Sequence, residues 1–135
     1  MVTGFFDEYG QPKISILVKG HQDECSIDAV IDTGFDGFIC IPTSLAIQLG
    51  LELCGAQVVE LADGSQRDEL VFTGTATFDG ETSTVEIALT ESDDALIGTE
   101  LLRSHKLEIG FLSRTIMLKD ERDTRTNSKE DSPRS

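Results

Sequence analysis

An aspartate stands at the end of an apolar run in the first third of the chain. The segment "AVIDTG" places Asp32 directly after residues 29–31 and directly before Thr33 and Gly34. A carboxylate at the end of a buried strand loses hydration, so the position calls for a turn or for a compensating partner. On one interpretation, Asp32 and Thr33 form an ordinary side-chain turn with Gly34 at positive φ. On the other, Asp32 is a reacting group, because two carboxylates that share one proton supply both a general acid and a general base.

Other residue types with catalytic chemistry form no comparable pattern. Neither His21 nor His105 lies beside a glycine-framed nucleophile, which argues against a serine or cysteine hydrolase, and both are expected in surface or turn positions. Asp93 and Asp94 lack the spacing of a calcium loop and are typical of a solvated turn. We therefore expect neither a metal ion nor a cofactor.

The charge composition argues against two classes of partner. The 135 residues include 25 acidic and 11 basic side chains, for a net charge of −14. A surface of this sign repels phosphate groups, so neither nucleic acid nor an anionic membrane is expected as a partner. The sequence shows neither a signal-peptide pattern nor an apolar stretch long enough to span a bilayer, which predicts a cytoplasmic location.

The three cysteines fit no disulfide or zinc framework. Cys25, Cys40 and Cys54 cannot all pair within one chain, and their spacings match neither a CxxC motif nor a zinc site. This pattern favours a reducing compartment. Cys40 and Cys54 are expected to be small core residues.

Short strands surround the Asp-Thr-Gly segment. "KISILVKG" and "CSIDAVI" alternate apolar and polar residues around a polar turn, which predicts a hairpin that ends at Asp32. Asp63-Gly64 and Asp79-Gly80 predict two more hairpins, since Asp-Gly is a strong two-residue turn signal. Four further short strands are predicted at "GFICI", "ALIG", "KLEIGF" and "RTIMLK".

Two short helices are predicted among these strands. In "TSLAIQLGL", Thr43 or Ser44 can cap the start and Gly50 can end the helix in the left-handed conformation. In "TELLRS", Thr99 can cap about one helical turn.

The count of elements predicts the fold class and the domain boundary. Eight or nine closely spaced strands with one or two short helices are typical of an all-β barrel or sandwich. We predict one domain over residues 1–118. Residues 119–135 lack apolar periodicity and are expected to be a charged, disordered tail.

These features resemble the retropepsin-like aspartic proteases, single-domain relatives of pepsin, and most closely the small prokaryotic members. In that family an apolar strand delivers Asp-Thr-Gly, as "AVIDTG" does, and a later apolar strand ending in glycine runs into a short helix, as "ALIGTELL" does. The resemblance implies a closed β-barrel and an aspartic endopeptidase that hydrolyses an extended peptide or protein. The chain has one Asp-Thr-Gly, so the second carboxylate must be the Asp32 of a second copy, which makes the enzyme a homodimer.

The resemblance also implies roles for individual residues. Thr33 would hydrogen-bond across the dimer beneath the carboxylates, and Gly34 would allow close approach of the backbone. The hairpin tip would be a flap over the substrate, formed by Ala62, Asp63, Gly64 and Ser65. The residues expected to support the catalytic loop are Phe35, Asp36, Leu96, Ile97 and Gly98.

The main alternative is a protein of the same fold that does not catalyse peptide hydrolysis. A retropepsin-like chain can serve as a dimerisation or peptide-binding module with little or no proteolytic activity, since fold does not imply function. The intact Asp32-Thr33-Gly34 favours the enzyme, because a binding module has no need of two carboxylates face to face.

Overall fold

The computed structural model describes residues 1–122, which form ten strands and one helix. The strands are β1 (Val2–Phe6), β2 (Pro12–Lys19), β3 (Glu24–Ile31), β4 (Ile39–Pro42), β5 (Glu52–Glu60), β6 (Gln66–Phe78), β7 (Glu81–Thr90), β8 (Ala95–Ile97), β9 (His105–Gly110) and β10 (Thr115–Asp120), and the helix is α1 (Thr43–Leu49). The predicted all-β class is confirmed. Within this range, no helix combines the length and apolar character needed to cross a membrane.

Six strands close into a barrel that carries the Asp-Thr-Gly segment. Their order is β6-β7-β4-β8-β3-β2, and the ring closes because β2 pairs with β6 as well as with β3. Leu17 lies opposite Thr77 and Lys19 opposite Thr75 at the closing seam. β5 extends the sheet beyond β6, and β1, β10 and β9 extend it beyond β2.

The barrel core is aliphatic. Alternation in β2 sends Ile14, Ile16 and Val18 inward and leaves Ser15 exposed, as the period of a strand requires. Burying each such side chain stabilises the fold by about 1.5–3 kcal/mol. The largest fully buried side chains are Ile14, Val18, Ile39, Ile41, Leu49, Ile87, Ile97, Ile116 and Leu118.

Helix α1 begins differently from the prediction. Pro42 occupies the N-cap position, with φ −59° and ψ 142°, and no side chain caps the helix. The Thr43 hydroxyl donates instead to the carbonyl oxygen of Thr90 at 3.4 Å, so it is used to join α1 to β7. Gly50 ends the helix at φ 71°, as predicted.

The second predicted helix, over "TELLRS", is wrong. Residues 99–104 form consecutive turns between β8 and β9. The backbone N–H groups of Thr99 and Glu100 donate to the carbonyl oxygens of Phe35 and Gly37, at 2.9 and 3.1 Å. These bonds tie the segment to a distant loop, and that tertiary constraint overrides its local helix propensity.

The two ends of the described range also differ from the prediction. Strand β1, for which the sequence gives no clear signal, pairs with both β2 and β10. Gly4 interrupts its apolar pattern, and a side chain there would place Cβ against the carbonyl oxygen of Lys13. Strand β10 runs to Asp120, two residues past the predicted boundary. The rest of the predicted tail, from residue 123, lies outside the described residues.

The cysteine positions lead to a labelling prediction. Cys40 is buried, as predicted, but Cys54 is exposed, because β5 lies at the outer edge of the sheet. Burial, and secondarily the charge of Glu69, raises the pKa of the Cys40 thiol to about 11. Since the thiolate is the reactive species, we expect iodoacetamide at neutral pH to modify Cys54 about tenfold faster than Cys40, or more. Peptide mass spectrometry measures both rates, and the difference should vanish in guanidinium chloride; equal rates in the native protein would contradict the buried position of Cys40.

Candidate active site

Asp32 is the first residue beyond a buried strand of the barrel. Strand β3 pairs in parallel with β8, with Val30 opposite Leu96 and Ile31 opposite Ile97. The ladder continues one step further, because the Asp32 N–H donates to the Ile97 carbonyl oxygen at 2.9 Å. The backbone of Asp32 is therefore fixed by the barrel, while its side chain is partly exposed.

The residues after Asp32 form a tight turn at the surface. Asp32 Oδ1 accepts a hydrogen bond from the Gly34 N–H at 2.9 Å, and the Asp32 carbonyl oxygen accepts one from the Phe35 N–H at 3.1 Å. Thr33 and Gly34 are both exposed. The side-chain turn of the first interpretation is thus present, and the carboxylate that forms it remains accessible.

Gly34 has a different role from the one expected for a plain turn. It is not among the glycines of positive φ, so that part of the turn hypothesis is wrong. A side chain at this position would place Cβ 3.3 Å from Asp32 Oδ1, closer than an ordinary contact. Glycine at this position therefore keeps the space beside the carboxylate free, and its backbone conformation does not demand glycine.

The loop after Asp32 is held from behind by the segment that follows β8. The Gly98 N–H donates to the Phe38 carbonyl oxygen at 3.0 Å, and the Thr99 and Glu100 bonds described above continue the contact. A Cβ on Gly98 would collide with the carbonyl oxygens of Gly37 and Phe35, the latter at 2.6 Å. The structure therefore brings Gly98 against the loop that contains Phe35 and Asp36.

The side chains of this loop take distinct positions. The Phe35 ring covers Gly37, since a Cβ there would lie 2.6 Å from its Cζ, and the same ring lies against Gly98. Two glycines thus provide the space for a large residue directly after Asp-Thr-Gly. Asp36 is exposed, while behind the loop Leu96 is half-buried and Ile97 is fully buried.

The candidate flap is the tip of the β5–β6 hairpin. Its turn is closed by hydrogen bonds between Leu61 and Ser65, 2.7 Å from nitrogen to oxygen, and from the Gly64 N–H to Leu61. Gly64 has φ 87°, a conformation that favours glycine. Hydrogen bonds from the Ser65 hydroxyl and N–H lower the pKa of Asp63. Ala62 and these neighbours are exposed, so the tip is an ordered turn that extends into solvent.

A cavity of about 260 Å³ lies between this hairpin and the Asp32 loop, the segment 32–38 that connects β3 to β4. Its lining residues come from the loop, from β4, β5, β6 and β7, and from the turn after β8: Phe35, Asp36, Gly37, Phe38, Ile39, Gln57, Glu69, Val71, Glu86, Ile87, Ala88 and Glu100. The hairpin reaches the loop through Gln57, Glu69 and Val71, whereas its tip, 62–65, does not line the cavity. The structure thus brings together the supporting loop and the stem of the hairpin.

Comparison with known proteins gives matches at the level of structure. The sequence matches no protein-family model and no curated protein. A retropepsin-like aspartic protease from Rickettsia conorii superposes with a TM-score of 0.63 at 18% identity, covering 87% of this chain and 88% of the other. The EIAV protease gives 0.53 at 13% identity (73% and 90%), and the simian foamy virus protease gives 0.51 at 15% identity (67% and 91%). The chain has the retropepsin-like fold.

A single chain of this retropepsin-like fold presents one Asp-Thr-Gly, at an exposed loop. One carboxylate acts as a general acid or as a general base at a given moment, and two that share a proton act as both. Thr33 and Gly34, directly after Asp32, are exposed to solvent.

A second group of titratable residues lies away from Asp32. The expectation of a surface or turn position is wrong for His105, which is the first residue of β9: its side chain is 4% exposed, and its Nε2 lies 3.1 Å from Asp79 Oδ2. Asp79, His105 and Asp120 place ligand atoms within 4.8 Å of one another, a spacing that could hold a metal ion. Asp120 is already bound by Arg122, at 2.8 and 3.0 Å. The group joins the β9–β10 hairpin to the β6–β7 turn, and we interpret it as a structural hydrogen-bond network that includes the Asp120–Arg122 ion pair.

Proposed function

We propose that this chain is a homodimeric aspartic endopeptidase in which Asp32 and the Asp32 of a second copy share one proton and activate a water molecule. The observation that carries the proposal is the position of Asp32. Its backbone is fixed to β8, and its side chain lies beside exposed residues that a second copy can approach. The retropepsin-like fold supports the same reaction, although fold alone does not establish activity.

The chemistry follows from the two carboxylates. At about 3 Å separation they cannot both be ionised, so one carries the shared proton. The charged carboxylate takes a proton from water, whose oxygen attacks the peptide carbonyl carbon, while the protonated carboxyl donates to the carbonyl oxygen. The tetrahedral intermediate then collapses. The carboxyl that took the proton from water passes it to the amide nitrogen, the C–N bond breaks, and a hydroxyl of the intermediate returns its proton to the other carboxylate. A carboxylic acid and an amine leave, and the dyad again holds one proton. This reaction needs only water and the two carboxyl groups.

The surrounding elements have separate tasks in this proposal. The Gly34 N–H holds Asp32 Oδ1 in position, and Thr33 would support the pair across the dimer. The β5–β6 hairpin would close over the substrate as a flap and exclude water. An extended peptide would lie between flap and loop and pair through its backbone as an added strand.

One observation favours the alternative of a dimerisation or peptide-binding module. The Asp32 carboxylate accepts a hydrogen bond within its own turn, so it has a structural use that requires no catalysis. A binding module would retain peptide affinity and show no turnover.

A mixing experiment tests the dimeric enzyme. Wild-type protein at fixed concentration is titrated with Asp32→Asn protein, and cleavage of a randomised peptide library is followed by mass spectrometry across acid to neutral pH. If every active dimer needs two Asp32 residues and copies pair at random, an equal amount of variant should lower activity to about one half and a ninefold excess to about one tenth. Activity that is unaffected by the variant would contradict the shared dyad, and absence of cleavage at every pH would favour the binding module.

A further inference from the structure

We propose that the cavity beside the Asp32 loop selects substrates that carry a lysine or arginine side chain. This inference rests on the proposed function, because it assigns the cavity to the substrate. One wall is the loop that begins three residues after Asp32, and the facing wall is the stem of the hairpin proposed as the flap. A peptide lying between them directs alternate side chains to opposite sides, so one of them enters this cavity.

The floor of the cavity is apolar. Ile39 and Ile87 are fully buried beneath it, Val71 is 8% exposed, and the half-buried Phe38 completes the surface. At about 260 Å³ the cavity falls just below the range of about 300–1,000 Å³ typical of small-molecule sites, which suits a single side chain. The floor therefore accepts an alkyl stem.

The rim of the cavity is acidic. Asp36, Glu69, Glu86 and Glu100 come from four separate segments of the chain, and no lysine, arginine or histidine lines the cavity in the part that the structure describes. Glu100 bonds to Arg103 at 3.0 Å, and Glu69 lies 3.7 Å from Arg67. Four carboxylates against two neighbouring guanidinium groups leave the rim with an excess of negative charge.

The combination of floor and rim fits basic side chains. Lysine and arginine join an apolar stem to a cationic end, so the stem covers the floor while the cation meets the rim. Ion pairs with carboxylates also add charge-assisted hydrogen bonds. Norleucine has a similar stem without the charge, and glutamate has the opposite charge. Comparing lysine with these two residues therefore separates the contribution of the apolar floor to binding from that of the acidic rim.

The test compares matched peptides on matched proteins. Peptides found by the library screen are resynthesised with lysine, norleucine or glutamate at each position in turn, and kcat/KM is measured for each. In parallel, fluorescein-labelled peptides of the same three kinds are titrated with Asp32→Asn protein, which measures affinity without cleavage. If the screen yields no cleaved peptide, dodecapeptides of fixed composition that carry lysine, norleucine or glutamate serve as the probes. The rim variant is Glu69→Gln/Glu86→Gln. Its control is Glu8→Gln/Glu24→Gln, which removes two exposed charges outside the cavity.

At one peptide position we expect wild type to favour lysine over norleucine by about three- to fivefold at low salt, the upper part of the range for exposed ion pairs. The rim variant should lower this ratio below about twofold, the control should keep it, and salt should weaken it. Equal use of lysine and norleucine at every position, or a preference that survives in the rim variant, would overturn the inference. The two proposals fail separately. Cleavage without charge preference would refute the cavity proposal and leave the protease proposal standing. Charge-dependent binding without cleavage would support the cavity proposal and refute the protease proposal.

Discussion

Replacing Asp32 by asparagine is expected to abolish peptide cleavage and leave the fold unchanged. Asparagine has the same shape, and its Oδ1 still accepts the hydrogen bond from the Gly34 N–H that holds the turn. The amide cannot take up and return a proton, so neither the general acid nor the general base can form in the proposed dimer. We expect kcat/KM to fall by a factor of about 10³ or more, whereas the free energy of unfolding should change by less than about 0.5 kcal/mol.

The matched control for this change is Asp28→Asn. Asp28 lies on β3, four residues before Asp32, and its carboxylate accepts a hydrogen bond from Ser15 on the exposed face of the sheet. The same chemical change there should leave cleavage intact. An Asp32→Asn protein that still cleaves peptides would refute the carboxylate mechanism. Loss of activity in both variants would instead point to a general effect of charge.

The features that the sequence predicts correctly depend on local turn chemistry and on strand periodicity. Asp63-Gly64 and Asp79-Gly80 both lie in hairpin turns, with positive φ at the glycines. Asp79-Gly80 is the two-residue turn that the dipeptide predicts, whereas Asp63-Gly64 lies in a longer loop, residues 61–65, in which glycine supplies the same positive φ. The hairpin before Asp32 follows from alternation in β2 and β3. The position of Asp32 at the end of a buried strand is therefore readable from the chain itself.

The features that the sequence does not predict depend on contacts between distant segments. Glu69 and Glu86 line the cavity because β6 pairs with β7 and both face the Asp32 loop, and nothing in their immediate neighbours indicates this. The segment after Gly98 has the composition of a helix, yet its N–H groups bond to the loop and it forms turns. Cys54 looks like a core residue, but β5 lies at the edge of the sheet. In each case contacts between distant segments determine the local structure or the burial of the residue, and local propensity does not indicate those contacts.

Gly98→Ala is the change expected to damage the fold and the site together. The added Cβ would collide with the carbonyl oxygens of Gly37 and Phe35, which are backbone atoms that cannot rotate away. To relieve the contact, the loop after Asp32 must move from β8, and the Gly98–Phe38 hydrogen bond at 3.0 Å must lengthen. We expect chemical denaturation to show a loss of about 3 kcal/mol or more in the free energy of unfolding. The displaced loop should also lower kcat/KM by about tenfold or more, because catalytic geometry tolerates little misplacement.

Gly55→Ala separates this collision from the general effect of replacing a glycine in a strand. Gly55 lies in β5 at a register shift, has no heavy atom within 4 Å of an added Cβ, and is not among the glycines of positive φ. Its substitution should leave the free energy of unfolding unchanged or raise it by up to about 1 kcal/mol, because alanine restricts the unfolded chain. If Gly98→Ala were as stable as Gly55→Ala, that result would contradict the close packing of Gly98 against the loop after Asp32. The barrel would then fail to fix Asp32, and a second copy would meet a mobile carboxylate in place of an oriented one.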